Sequence, residues 1–272
     1  MPTCALTGKE GLYVKAHLIP RALTYPVPKG NPFYQVGHGR RPTKRWSSWY
    51  DSGLVTAEGE AILADLDDWL INYLRTHKLV WSGWDKEERR LSSEHFDVGP
   101  DPTGRGIRIF NIKDAELFGR ALMSIVWRTC ASQLPDMAEA RVKASTLRRM
   151  RATILSQRQY DYNLMPFTLV QLTSKGDIHN HSPILMRRPI GSANRESKSA
   201  TIIRYYFDGL VIHAFPPPRR FDPSEFGGLI LSEKPLLGVI GVPFEESLQK
   251  DILNEAVMLS MLNHPDAKPF KS

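Results

Sequence analysis

The chain has 272 residues, 42% of them apolar and 24% charged, with 36 Lys+Arg against 29 Asp+Glu for a formal charge of +7. This composition excludes a disordered or collagen-like chain. The length allows about two units at roughly 150 residues each, or one large domain with an appendage. Two cysteines, Cys4 and Cys130, exclude a disulfide scaffold and suit a reducing compartment. The start of the chain lacks an apolar signal core, and no run approaches the ~18 apolar residues of a membrane span. The expectation is a cytoplasmic protein with no membrane partner.

Charge is unevenly distributed. Residues 1–50 hold eight bases against Glu10 alone, residues 51–100 net −6, and residues 141–160 carry Arg141, Lys143, Arg148, Arg149, Arg151 and Arg158 without an acid. Single-sign clusters attract polyanions, although solvated faces look the same in sequence.

In chain order, residues 4–25 read as short extended pieces around a turn at Thr7-Gly8-Lys9. Residues 26–48 are rich in Pro, Gly and Arg and read as a long loop. Leu54 and Val55 end a short strand. Thr56 then stands at an N-cap position, with Glu58 and Glu60 in the first helical turn. Ile62, Leu63, Leu66, Trp69, Leu70, Tyr73 and Leu74 recur at helical spacing. Residues 78–106 read as a linker between a unit at 1–77 and a unit at 107–272. A second helix is predicted from about Asp114 to Ser132 and a third, basic one from about Asp136 to Gln157. Period-two patterning follows at Phe167–Leu172. Thr201 to Phe215 reads as a hairpin with Asp208-Gly209 as its turn. A strand at Leu236–Val242 and an amphipathic helix at 245–262 close the chain. The predicted class is α+β: a strand–strand–helix unit, then a helical pair and a mostly antiparallel sheet.

The stretch that carries chemistry is Ala16-His17-Leu18-Ile19-Pro20. A His-x-x-Pro step on a short strand, followed by a basic loop, a strand and a helix, has the order of a ββα-metal unit. There an imidazole activates water and a metal stabilises the phosphoryl transition state. With Cys4-Ala5-Leu6-Thr7 before it and Trp49-Tyr50-Asp51-Ser52-Gly53-Leu54-Val55-Thr56-Ala57-Glu58-Gly59 after it, the frame resembles the HNH-endonuclease family, in an HNH-like group with a large C-terminal extension. The resemblance covers about a quarter of the chain closely and extends loosely to Met123-Ser124-Ile125-Val126-Trp127-Arg128. Proteins of this kind are often found in prophages and defence loci.

The departures from the family pattern shape the expectation. The zinc-ligand positions hold Cys4, Thr7, Thr56 and Gly59. One thiolate cannot complete the closed tetrahedron of a structural zinc, so none is expected. Ala16 stands where the family has an acid or a second histidine, and Ser52 where it has asparagine. The last metal ligand falls near Glu58 or Glu60. Two readings follow: His17 as general base with Glu60 and Asp51 holding Mg²⁺ or Mn²⁺, or His17 as a relic that makes a structural hydrogen bond. An aromatic cluster of Trp46, Trp49, Tyr50 and Trp69 is the expected replacement for the zinc.

The resemblance places the basic loop Arg40, Arg41, Lys44, Arg45 and Trp46 beside this site. Bases interleaved with an aromatic suit phosphate contact and base stacking. Arg148, Arg149 and Arg151 form a second basic face. Asp177, His179 and His181 would share one face of a strand in metal-ligand order, although a turn there is equally open. Cys130 reads as a core thiol, and Tyr160 and Tyr162 as packing. Three functions are carried forward: a nucleic-acid-binding protein, with DNA the expected partner, whose HNH-like unit is zinc-less and impaired in cleavage; an active metal-dependent endonuclease using His17; and a protein-interaction or assembly component.

Overall fold

The computed structural model describes residues 1–24, 33–37, 40–156, 159–190, 198–219 and 221–263. In chain order it contains β1 (Ala16–His17), α1 (Arg21–Thr24), β2 (Phe33–Gly37), β3 (Arg40–Arg45), β4 (Tyr50–Asp51), α2 (Ala57–Thr76), β5 (Gly106–Asn111), α3 (Ala115–Ala131), α4 (Ala144–Leu155), β6 (Phe167–Leu172), β7 (His179–Ile190), β8 (Lys198–Phe207), β9 (Leu210–Ala214), β10 (Leu236–Val242) and α5 (Leu248–Asn263). The class is α+β. β1 and β4 form a two-stranded ribbon, and the other strands form an eight-stranded sheet in the order β3-β2-β7-β8-β9-β6-β10-β5. Among the described residues the β2–β7 and β6–β10 pairs are parallel and the other pairs antiparallel. No helix among the described residues is long and apolar enough to cross a membrane.

The long helices form where period and caps agree. α2 buries Leu63, Leu66, Leu70 and Leu74, and α3 opens on Asp114, whose carboxylate accepts the Leu117 N–H at 3.0 Å. Thr56 holds the N-cap position of α2 but makes no side-chain cap bond. α3 packs between α2 and α4, and one face of the sheet closes over it through Ile203, Tyr205, Phe207 and Ile212. The β8–β9 turn is Asp208-Gly209, with φ of 49° and 78°, the backbone that a two-residue hairpin requires.

Three expectations are corrected. The described part of the 26–48 loop is a hairpin, β2 with β3, at the sheet edge. Pro42 is tolerated because an edge strand has one side without ladder bonds. The basic helix is shorter than 136–157, because Pro135–Met137 forms a separate 3-10 turn before α4 begins at Ala144. The expected linker at 78–106 is packed. Trp81, Trp84 and Leu91 are buried against the second face of the sheet. Arg108 of β5 donates to the carbonyls of His77, Lys78 and His95. Among the described residues, β2 and β3 belong to the large sheet, and one core joins Leu63 to Leu74 of α2 with Phe118 to Trp127 of α3 and Phe167 of β6.

Trp81 fixes this segment. Its indole N–H donates to the Leu172 carbonyl at 3.0 Å, and its ring covers Gly209, where a Cβ would come within 2.4 Å. Trp81→Ala is expected to lower unfolding free energy by about 3–5 kcal/mol, the usual cost of deleting a buried ring. Urea denaturation measures this; a loss under about 1 kcal/mol would return the segment to a linker.

Candidate nuclease-like site and basic edge

The ribbon aligns the His-x-x-Pro step. Ala16 lies opposite Asp51 and His17 opposite Tyr50, and the Leu18 N–H donates to the Trp49 carbonyl at 3.1 Å. Two residues per strand make a weak ladder, so the ribbon needs external support. Arg128 of α3 supplies it. Its guanidinium is 1% exposed, donates to the His17 carbonyl at 2.9 Å, and grips Asp67 of α2 through two bonds of 2.8 and 2.6 Å. Sequence patterning missed Asp67. Arg128 carried one signal, a cation directly after the apolar Ile125-Val126-Trp127.

The His17 imidazole is half-buried. Burial pushes its pKa down, Lys15, Arg21 and Arg128 push the same way, and Asp67 opposes them. A neutral imidazole is the form that can accept a proton. Glu60 is pushed the other way by burial, and its Oε2 is buried with no hydrogen-bond partner. Asp51 does not join it as a metal ligand. One carboxylate oxygen accepts the Gly53 N–H at 2.8 Å and the other accepts the Ser132 hydroxyl at 2.7 Å. Among the described residues no three His, Cys, Asp or Glu side chains are arranged to hold a metal ion. The donors here therefore do not fit a chelated Mg²⁺ or Mn²⁺. The Glu60–Asp51 pairing is corrected because Asp51 is committed to the β4 turn.

The four positions aligned with zinc ligands do converge. The turn after Cys4 is closed by Cys4 N–H to Lys9 O and Gly8 N–H to Cys4 O, both 2.9 Å, and Ala5 N–H bonds Leu54 O. The Thr7 N–H points at Cys4 Sγ from 3.4 Å, and a Cβ on Gly59 would lie 2.7 Å from that sulfur. Burial raises the Cys4 thiol, but hydrogen bonds from Thr7 and Thr56 outweigh it and bring the pKa to about 7. A single sulfur holds the centre, with Thr7 and Thr56 as its hydrogen-bond donors. The expected aromatic replacement forms only in part. Trp49 is buried and Trp69 stacks on Tyr73, whereas Trp46 and Tyr50 are 62% and 39% exposed. Trp46 lies just after β3, and Tyr50 is an exposed position of the β1–β4 ribbon.

The basic residues divide by role. Lys44, Arg45 and Trp46 are exposed along and just after β3, and Lys15 sits over the Tyr50 ring at 3.7 Å. Arg40 and Arg41 belong to the same strand, and their side chains lie outside the described residues, as does Arg158. On α4, Arg148 is exposed and Arg149 pairs with Asp161 at 3.0 Å. Arg151 donates to the Leu6 carbonyl and covers Gly8. Arg151 is thus a tie between α4 and the Cys4 turn.

The Asp177-His179-His181 metal set is not formed. His179 Nδ1 donates to the Asp177 carbonyl at 2.7 Å, its Nε2 accepts from Gln249 at 2.8 Å, and its ring stacks on Tyr206. His181 Nδ1 donates to the Ser182 carbonyl. Both rings are buried because β7 continues through them. Cys130 is a core thiol, pushed by burial up to about 12, and Tyr160 packs on Gly119.

Burial pushes His179 down to about 4, against the opposing bond to the Asp177 carbonyl. The unfolded imidazole titrates near 6.5. Between these values the unfolded chain binds more protons, so this contribution is complete above about pH 6.5 and is lost as pH falls toward 4. Its size is on the order of 3 kcal/mol. Urea midpoints are expected to drop between pH 7 and pH 4 by clearly less in His179→Gln than in the wild type; equal drops would contradict a neutral, buried His179.

No family model, curated protein or solved structure matches the chain, so the family reading rests on the quoted residues and the geometry around them.

Proposed function

We propose that this chain is a nucleic-acid-binding protein, with DNA the expected partner, built on an HNH-like unit that has lost its zinc and is impaired in metal-dependent cleavage. The observation that carries this reading is the convergence of Cys4, Thr7, Thr56 and Gly59 around one sulfur, beside a His-bearing ribbon that leads into α2. Two pairs of positions, Cys4 with Thr7 and Thr56 with Gly59, lie about fifty residues apart in sequence and come together around one sulfur, and only Cys4 carries a metal-binding side chain. The impairment follows from the donor set: Asp51 is engaged and Ala16 offers no ligand. The binding face is the β3 edge, where Lys44 and Arg45 can meet phosphates and Trp46 can stack on a base.

Fluorescence anisotropy against salt tests the reading. Each phosphate contact contributes about −0.9 to the slope of log K against log salt on duplex DNA. Lys44→Ala with Arg45→Ala is expected to flatten the slope by up to about 1.8, and addition of Arg40→Ala and Arg41→Ala by up to roughly 3–4 in all. Trp46→Ala is expected to weaken single-strand binding by about 1–3 kcal/mol. Unchanged slope and affinity would overturn the assignment of this edge. Plasmid nicking with Mg²⁺ or Mn²⁺ that disappears in His17→Ala would establish the active endonuclease instead.

A second reading, a protein-interaction component, draws on α5, where Met258, Leu259, Met261 and Leu262 are 62%, 40%, 47% and 74% exposed. Association through that row would respond weakly to salt, which separates it from the first reading.

A further inference from the structure

The sheet has a second face, turned away from α3. Strand alternation puts Ala200, Ile202, Arg204 and Tyr206 of β8 on it, with His213 of β9 opposite Arg204. Two apolar caps cover its ends. Leu253 and Ala256 of α5 join Tyr206 and Val211 at one end, and Phe221 and Phe226 join Ile202 and Phe215 at the other. Between the caps lies a cavity of about 230 Å³ whose walls include Val170, Ile202, Phe226 and Ile240. Its polar end is formed by Thr168, His213 and Arg188.

Among the described residues the cation at that end has no carboxylate partner. Arg188 donates to His213 Nε2 across a long 3.4 Å. This leaves Nδ1 as the donor toward the Thr168 hydroxyl at 3.3 Å, so the imidazole is neutral. Arg204 is 3% exposed, and its guanidinium donates to the amide oxygen of Gln249, a neutral group. Among the described residues no carboxylate pairs with Arg188 or Arg204; burial and then the charges of Arg204 and Arg188 push His213 down, and burial pushes Arg204 down, with Arg188 acting the same way and Tyr206 opposing. Arg204 is thus a buried guanidinium without the counter-charge such groups normally carry, whereas Arg188 is exposed at the edge of the cavity, where its cation is open to a ligand.

An apolar cavity ending in an unneutralised cation has a definite complement. We propose that this cavity binds a small organic anion, a carboxylate on a short hydrocarbon or single-ring body, with its oxygens on Arg188 and its body between the caps. The guanidinium fork suits a carboxylate, which can accept two parallel N–H bonds and displace the long bond to His213. The body must be short, since drug-sized ligands occupy about 300–1,000 Å³. Inorganic phosphate fits less well, because apolar walls cannot replace its hydration. This site is separate from the ribbon and the β3 edge, so it stands or falls independently of the nucleic-acid reading.

Isothermal titration of the full chain tests it with octanoate, 1-octanol and inorganic phosphate as probes. Octanoate is expected to saturate at one per chain and to bind at least tenfold tighter than either comparison probe. Arg188 is exposed, so Arg188→Met should keep the fold, which circular dichroism checks. That variant is expected to weaken octanoate at least tenfold and to leave 1-octanol unchanged, while Arg188→Lys, which keeps a cation on a similar stem, retains part of the affinity. Absence of saturable octanoate binding would overturn the proposal. So would equal affinity for octanoate and 1-octanol, phosphate binding as tight as octanoate, or Arg188→Met binding octanoate as the wild type does.

Discussion

The arrangement of the amino-terminal third depends on one buried guanidinium. Arg128 reaches from α3 to Asp67 of α2 and to the carbonyl of His17, and also donates from Nε to the Ser124 carbonyl of its own helix. Burying this charge is costly unless every donor has an acceptor. Here the acceptors are supplied by three elements, so the charge is satisfied only when all three are in place. Hydrophobic packing alone would let α2 slide on α3, since leucines accept many registers. The ion pair selects one.

The consequence for the site is electrostatic as well as geometric. The cation that holds the backbone of His17 also disfavours protonation of its imidazole, in concert with burial, Lys15 and Arg21. It works against the burial that raises Glu60. On the far side of α2, the Cys4 turn is held by hydrogen bonds to the sulfur and by Arg151 on the Leu6 carbonyl. The unit is therefore stapled by two arginines from the helical pair. Its fold is tied to the rest of the chain, so that among the described residues one core runs from Cys4 through α2 and α3 to the sheet.

Much of this was legible where a local signal and the global fold agree. The helical spacing of Ile62 to Leu74, the apolar face of α3, the Asp208-Gly209 turn and the strand at 236–242 were all readable. The order strand, strand, helix around His17 was readable too, and β1, β4 and α2 follow it. What stayed hidden was set by tertiary contacts. β2 and β3 carry the Pro, Gly and Arg of a loop and become strands by pairing at a sheet edge. β7 begins with His179-Asn180-His181, polar residues buried because Gln249, Thr24 and backbone carbonyls satisfy them. The residues around Trp81 look like a charged linker until the tryptophan is seated on Gly209. Asp67 is one of several acids on α2, and nothing in its spacing distinguishes it from Asp65 or Asp68. Its role is created by Arg128, 61 residues away.

A double-mutant cycle on Arg128→Met and Asp67→Leu tests the central claim most directly. Removing one partner leaves the other charge buried and unpaired, so each single variant is expected to lose about 3–5 kcal/mol in urea unfolding. The double variant should lose less than the sum by about 2 kcal/mol or more, because the stranded charge is removed with its partner. Both single variants should also shift the backbone amide resonances of Ala16–Leu18 and Trp49–Asp51. Additive losses under about 1 kcal/mol each, with the ribbon resonances unmoved, would show that packing rather than the Arg128 clamp positions the site.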